Sequence, residues 1–154
     1  MIDNYPLALS EAGSTVVVPF TVPLQGTYTL SLNFRFPSGV DGVRADSIAG
    51  PACRISDLKN QNAKAVATGE SQQLGVQASL KLVVRRKTDN ALVVSSINES
   101  RRCISSWSAF EKTRTVATVP LAAGEYVAQI TNIDRVQGLD SAATFVSLGP
   151  GPGK

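Results

Sequence analysis

From Tyr28 to Phe36 every second residue is apolar: Tyr28, Leu30, Leu32, Phe34 and Phe36 alternate with Thr29, Ser31, Asn33 and Arg35. A period of two puts one set on each face of a β-strand, so this segment predicts a strand with an apolar face and a wet one. Thr15–Val22 predicts a strand before it, placed at a sheet edge or bulge because Pro19 has no N–H to pair. Downstream, Ser79–Arg86 carries Leu80, Leu82 and Val84 on one face. A turn at Lys87–Asn90 returns the chain as Ala91–Ile97, which makes a hairpin. Thr113–Val119, Glu125–Ile133 and Ala143–Leu148 predict three more strands.

The pattern lapses twice. Residues 37–76 are rich in Pro, Gly, Asn and Gln, and only a stretch such as Ile55–Lys59 suits a turn or two of helix. Glu99–Phe110 reads as a polar loop holding Cys103 and Trp107. Gly149-Pro150-Gly151-Pro152-Gly153-Lys154 predicts a mobile tail, which leaves one domain over residues 1–148.

One phrase occurs twice. Val22-Pro23-Leu24-Gln25-Gly26-Thr27-Tyr28 is echoed by Val119-Pro120-Leu121-Ala122-Ala123-Gly124-Glu125-Tyr126. Each time a strand ends at Pro-Leu, a glycine turns the chain and a tyrosine opens the next strand. Such a tyrosine can bury its ring while its hydroxyl reaches the backbone, as at the corner of a sandwich. The fold predicted is all-β: an antiparallel β-sandwich, Ig-like or jelly-roll-like, of about seven to eight strands, with a short helical excursion in residues 37–76.

Composition narrows the chemistry. The 154 residues suit one domain, and no apolar run nears the roughly 20 residues of a spanning helix. Histidine is absent, which removes Ser-His-Asp and Cys-His nucleophilic sites and every imidazole metal site. Ser56-Asp57-Leu58-Lys59 has Ser-x-x-Lys spacing without its companion motifs and reads as solvated turn residues. Asp41 and Asp46 read as turn caps rather than calcium ligands, since no Asp-x-Asp-x-Asp pattern supports them. Asn98-Glu99-Ser100 matches the common glycosylation triplet. The expectation is a protein with no catalytic residue, metal or cofactor.

Cys53 and Cys103 are the only cysteines. They are either two buried thiols or one disulfide closing a loop of about 50 residues. The second reading, together with the strand-rich composition, favours an oxidising compartment such as the periplasm. The opening Met-Ile-Asp-Asn-Tyr lacks a basic and apolar leader, so a signal or lipoprotein leader is expected to have been removed.

Charge is uneven. Residues 81–114 hold eight basic residues against three acidic ones, a net +5, whereas residues 1–80 and 115–154 each sum to −1. The bland interpretation is a solvated hairpin face; the functional one is a basic surface for an acidic partner. Without aromatic platforms or a groove-reading helix, nucleic acid is not the expected partner. The residues singled out for partner binding are Arg85, Arg86, Lys87, Arg101, Arg102 and Trp107. Trp107, in a serine-rich loop, is either a core plug or an exposed anchor.

Three segments carry a resemblance. Phe20–Leu32 with its Gly26-Thr27-Tyr28, then Leu80–Val84, then Val119–Tyr126 with its Gly124-Glu125-Tyr126, resemble a domain family of unknown function. Its members are small proteobacterial envelope proteins, often lipoproteins. The resemblance implies a periplasmic immunity protein that binds a toxin delivered by contact-dependent or type VI secretion and occludes its active site. It carries over no inhibitory residue, and the lipobox cysteine of an anchored member is missing from the start of this chain. A carbohydrate- or envelope-binding sandwich is the alternative, weakened because there are only nine aromatic residues and most occupy core-facing positions.

Overall fold

The computed structural model describes residues 1–36, 48–53, 75–108, 110–139 and 142–150. The described residues form two antiparallel sheets packed face to face. In chain order the strands are β1 (Ile2–Pro6), β2 (Thr15–Val22), β3 (Gly26–Arg35), β4 (Ser79–Arg86), β5 (Leu92–Glu99), β6 (Ser106–Trp107), β7 (Glu111–Leu121), β8 (Gly124–Asn132) and β9 (Ala143–Pro150). One sheet has the order β1-β9-β3-β7-β6 and the other β2-β8-β4-β5. The sandwich expected from the alternation is therefore the observed architecture. Ile55–Lys59, Ser56, Asp41 and Asp46 lie outside the described residues, as does most of the stretch expected to hold a helical excursion.

The core lies where the alternation puts it. Leu30, Leu32 and Phe34 of β3, with Val146 and Leu148 of β9, face Val18, Phe20 and Val22 of β2, Leu80, Leu82 and Val84 of β4, and Ala128 and Ile130 of β8. On β7 a bulge opposite Leu30 and Ser31 resets the alternation, so Arg114 and Val116 before it and Val119 and Leu121 after it all point inward. Without that extra residue one half of the strand would turn its apolar side to solvent.

Both repeated phrases are corners between the sheets, traversed in opposite directions: β2 to β3 at the first, β7 to β8 at the second. Tyr28 and Tyr126 are each 4% exposed. The Tyr28 hydroxyl donates to the Leu24 carbonyl at 2.5 Å and that of Tyr126 to the Ala122 carbonyl at 2.7 Å, in each case four residues back. The β4–β5 turn also falls as expected. Asn90 takes the left-handed conformation (φ 59°) that asparagine tolerates, and Asp89 accepts the Ala91 N–H.

Three differences from the sequence reading have physical causes. β1 is short and polar and exists because β9 offers it an edge, with Ile2 sealing the core. β6, only two residues long, forms where β7 offers Thr113 and Lys112 as partners. Gly149 and Pro150, expected in a mobile tail, extend β9 opposite Thr29 and Tyr28. Strand pairing uses main chain, and a proline at a strand's last position forfeits little.

Candidate functional site

The outer face of the five-stranded sheet is polar in an ordered way. β3 turns Thr29, Ser31 and Asn33 outward, and the register sets Ser31 between Thr115 of β7 and Ser147 of β9. The face is less wet than its sequence suggests: Asn33 is 4% and Thr29 8% exposed. Asn33 Nδ2 donates to Asn4 Oδ1 (2.8 Å) and Ser147 Oγ (3.3 Å), and its Oδ1 accepts from Thr113 Oγ1 (2.8 Å). Beside this network a cleft of about 810 Å³ opens, floored by Thr29, Ser31, Thr115 and Thr118, with Arg101 and Asp3 on its walls. Thr29 Oγ1 is buried there with no hydrogen-bond partner. Such a floor offers hydroxyl donors and acceptors and suits a neutral, hydroxyl-rich ligand.

One end of the cleft is tied to a second feature. Cys53 and Cys103 form a disulfide with Cα atoms 5.0 Å apart. Next to it Ala52 and Ile104 make a parallel bridge, with Cys53 N–H donating to Ile104 O and Ile104 N–H to Pro51 O. Gly50 (φ 103°) lets the backbones meet, since a Cβ there would stand 2.1 Å from the Arg102 carbonyl oxygen. Arg102 Nε donates to the Gly75 carbonyl. Segments 48–53, 75–76 and 100–104 are thus stitched together at the sheet's margin.

Arg114 lies at the centre of this stitching. Its side chain is fully buried, and its guanidinium lies 5.2 Å from the centroid of the Phe34 ring. Nε donates to Ser100 Oγ and the Arg101 carbonyl, and one terminal nitrogen to the Ala49 carbonyl at 3.4 Å; the other has no partner. Burial, and then the neighbouring charge of Arg102, pull its pKa from the ordinary arginine value down to about 9. Between those values the unfolded chain holds a proton that the folded one has lost. This group's contribution to stability therefore rises with pH from about 9 up to the ordinary arginine value, and that gain is lost as pH falls through 9. Wild type should gain about 2 kcal/mol on Arg114→Met between neutral pH and about pH 10.5, read from urea midpoints. An unchanged difference would mean that the guanidinium keeps its proton throughout.

The structure separates the residues that sequence reasoning grouped into one basic face. Arg85, Arg86 and Lys87 are exposed at the β4–β5 turn, but each has a local partner. Arg86 pairs with Asp89 at 3.1 Å, Lys87 with Glu125 at 3.9 Å, and Arg85 donates to the Asn90 carbonyl. Lys87 N–H bonds Glu125 O at the start of β8, whereas Trp107 pairs with Lys112 at the start of β7. The length of β7 lies between them, roughly 30 Å at 3.3 Å per residue. Arg101, expected on an exposed loop, is only 6% exposed, and Arg102 is half-buried. A single basic patch therefore does not form: Arg101 is buried at the cleft margin, Arg102 anchors the Gly75 carbonyl there, and Arg114 is in the core.

Of the two readings of Trp107, core plug or exposed residue, the structure shows the second. It is 62% exposed, and Phe110, which sequence reasoning did not single out, is 56% exposed across the same tight turn. Ser108 N–H donates to Glu111 O within that turn, and Phe110 O accepts from Phe36 N–H, so both aromatics stand on hydrogen-bonded backbone. The hydroxyl floor was missed too, although alternate Thr and Ser at 29, 31, 113 and 115 were its signal.

The model of a domain of unknown function, DUF5625, matches residues 4–150. This chain belongs to that family. A crystal structure of the DUF5625 chain's structural neighbour, GEBA250068378 from Sulfurospirillum deleyianum, superposes with a TM-score of 0.71 at 20% identity, covering 98% of each chain; the fold is shared. A Paenibacillus sp. cycloisomaltooligosaccharide glucanotransferase, in complex with cycloisomaltoheptaose, aligns at 20% identity with a TM-score of 0.41 over 93% of this chain and 14% of the enzyme, too weak a likeness to bear on function. No curated protein matches the DUF5625 chain. Among its described residues no helix is long and apolar enough to cross a membrane.

Proposed function

We propose that this DUF5625 domain works outside the cytosol as an immunity protein, binding a secreted antibacterial toxin and covering the toxin's active site. The disulfide supports the compartment, since such bonds persist in oxidising surroundings such as the periplasm. The observation that carries the binding reading is the pair Trp107 and Phe110. Large aromatics that stay exposed on rigid backbone are the residues that dominate interface energies when a partner desolvates them. A protein that neutralises by occlusion needs such anchors and no reacting group. On this reading a gene beside this one encodes a secreted effector, delivered through contact-dependent or type VI secretion. The toxin face that meets the aromatic turn buries an apolar pocket rather than a field of acidic residues, because the basic residues proposed for that role are paired locally or buried.

The test is a titration of that effector with wild type and with a variant carrying both Trp107→Ala and Phe110→Ala. Each truncation of a central aromatic is expected to cost about 2 kcal/mol of binding, so the double variant should bind at least 100-fold more weakly. Its melting temperature should stay within a few degrees of the parent, because both rings are mostly in solvent. Full affinity in the folded double variant removes the aromatic turn from the interface.

The hydroxyl-floored cleft favours a second reading, a module for cell-envelope saccharide. Hydrogen exchange with the effector or with oligosaccharide fragments separates the two: a toxin protects amides around residues 106–112, and a saccharide those of β3 and β9.

A further inference from the structure

An antiparallel sandwich leaves four strand edges, and each is a template for another strand unless something blocks it. Three are blocked here by their own sequence. β1 has five residues, a register break between Ile2 and Tyr5, and Pro6 at its end. β2 has Pro19 in its middle; β6 has only two residues, and beyond it β7 carries Pro120 and its Thr115 carbonyl is already taken by the Arg101 N–H.

β5 is different. It runs for eight residues, Leu92-Val93-Val94-Ser95-Ser96-Ile97-Asn98-Glu99, with no proline and no basic residue, and its one charge stands at its last position. β4 pairs with one side of it, and among the described residues it is the terminal strand of its sheet. Its outward residues are uncovered: Ile97 is 66% and Val93 36% exposed, and Leu92 at the hairpin end is 54% exposed. The one irregularity is a bulge whose extra residue is Val93, between Leu92 opposite Arg85 and Val94 opposite Val84; it leaves Val94–Glu99 in regular register and Val93 on the exposed face with Ser95 and Ile97.

We propose that β5 is a self-association edge, at which two copies of this chain pair antiparallel to form one continuous eight-stranded sheet. The strand is complementary to itself about Ser95. A two-fold axis there sets Ser95 opposite Ser95 and Val93 opposite Ile97 of the second copy, twice over, so apolar side chains meet on the outer face. Charge agrees with this register. The seven residues Leu92–Asn98 are neutral, and Glu99 falls opposite Ala91 of the second copy, so no like charges are opposed. A heterologous strand would have to supply matching residues that a second copy already has. The pairing adds one ladder of main-chain bonds and a single row of side chains. It buries less than the roughly 1,200 Å² of stable complexes, so the dimer is reversible and concentration-dependent.

Sedimentation equilibrium across a concentration series tests this with four proteins. Wild type should show a monomer–dimer equilibrium. Ile97→Lys, an exposed position where the fold should not suffer, should be monomeric throughout with an unchanged melting temperature, because it sets a lysine in the middle of the ladder. Val17→Lys, on the exposed face of blocked β2, should dimerise like wild type. Ser95→Cys should form an intermolecular disulfide in air, since residues opposed across an antiparallel pair stand about 4.5–5.5 Å apart, within disulfide reach. Wild type that stays monomeric at every concentration overturns the proposal. A dimer that survives Ile97→Lys places the interface elsewhere. Dimerisation lost in Ile97→Lys without cross-linking of Ser95→Cys rejects the two-fold about Ser95.

Discussion

Tyr28→Ala and Tyr126→Ala are each expected to lower stability by about 3–5 kcal/mol, the range for removing a buried aromatic ring. Each tyrosine does two things at a place where the chain changes sheets. Its ring fills the end of the core, and at the second corner it also stacks on Phe20 with centroids 5.6 Å apart. Its hydroxyl ties the turn to the carbonyl four residues back. The two contributions separate experimentally. Tyr→Phe keeps the ring and removes the hydroxyl, which should cost only about 1 kcal/mol per corner, the net worth of one hydrogen bond. At roughly 2–4 °C per kcal/mol for a chain of this size, thermal melts should place the phenylalanine variants a few degrees below wild type and the alanine variants about 10 °C or more below it. The two corners are neighbours in space, with Val22 paired to Gly124 and Gly26 to Leu121, so a double Tyr→Phe variant set against the sum of the single losses measures the coupling between them. An alanine variant that melts like its parent would show that the corner closes without its ring.

These corners were legible in the sequence because they combine signals of different kinds: a Pro-Leu strand end, a glycine and a period-two strand opened by tyrosine. Elements that depend on one signal were not. β1 has a buried Ile2 but also Asp3, Asn4 and Pro6, and its strand state comes from the β9 edge rather than from its own residues. β7 shows the same limit from the other side. Its alternation is plain before and after the bulge, yet only the register with β3 reveals that Arg114 falls in step with Val116 and so points into the core. A charged residue in step with valines is a warning that composition counts do not register. Eight basic residues in 81–114 looked like a surface because charge was summed along the chain, whereas the sheet places the β4–β5 turn and the β6–β7 turn at opposite ends of β7. Trp107 alone could be read either way, and its exposure needed a neighbour: β6 is an edge strand of two residues with, among the described residues, no strand beyond it to cover the ring.

The cysteines were the strongest functional signal in the sequence, and the structure turns two alternatives into one. Replacing Cys53 and Cys103 by serine together is expected to cost about 4 kcal/mol, the loop-closure value for the 50-residue separation. The geometry argues that little of this is offset by strain elsewhere, since the Ala52–Ile104 bridge and the two main-chain bonds beside it already hold the segments together. Those bonds also set the character of the unfolding. If they persist without the disulfide, the double serine variant should fold to the same sandwich and melt about 8–16 °C lower, with a steeper dependence of stability on denaturant because its unfolded chain is no longer cross-linked. If the disulfide is what holds residues 48–53 against 100–104, the variant should release the Arg114 cluster first. Arg114 would then regain solvent, its pKa would return towards the ordinary arginine value, and the gain in stability between neutral pH and about pH 10.5 would vanish in the serine variant. Urea titrations of wild type and variant at both pH values therefore test the covalent link and the buried arginine together. Wild-type protein treated with reductant should follow the serine variant, provided the thiols are reached. Cys103 is 1% exposed, so reduction should be slow in the native state and quick once the margin of the sheet opens. A variant as stable as wild type at both pH values would mean that the disulfide neither constrains the unfolded chain nor supports the buried charge.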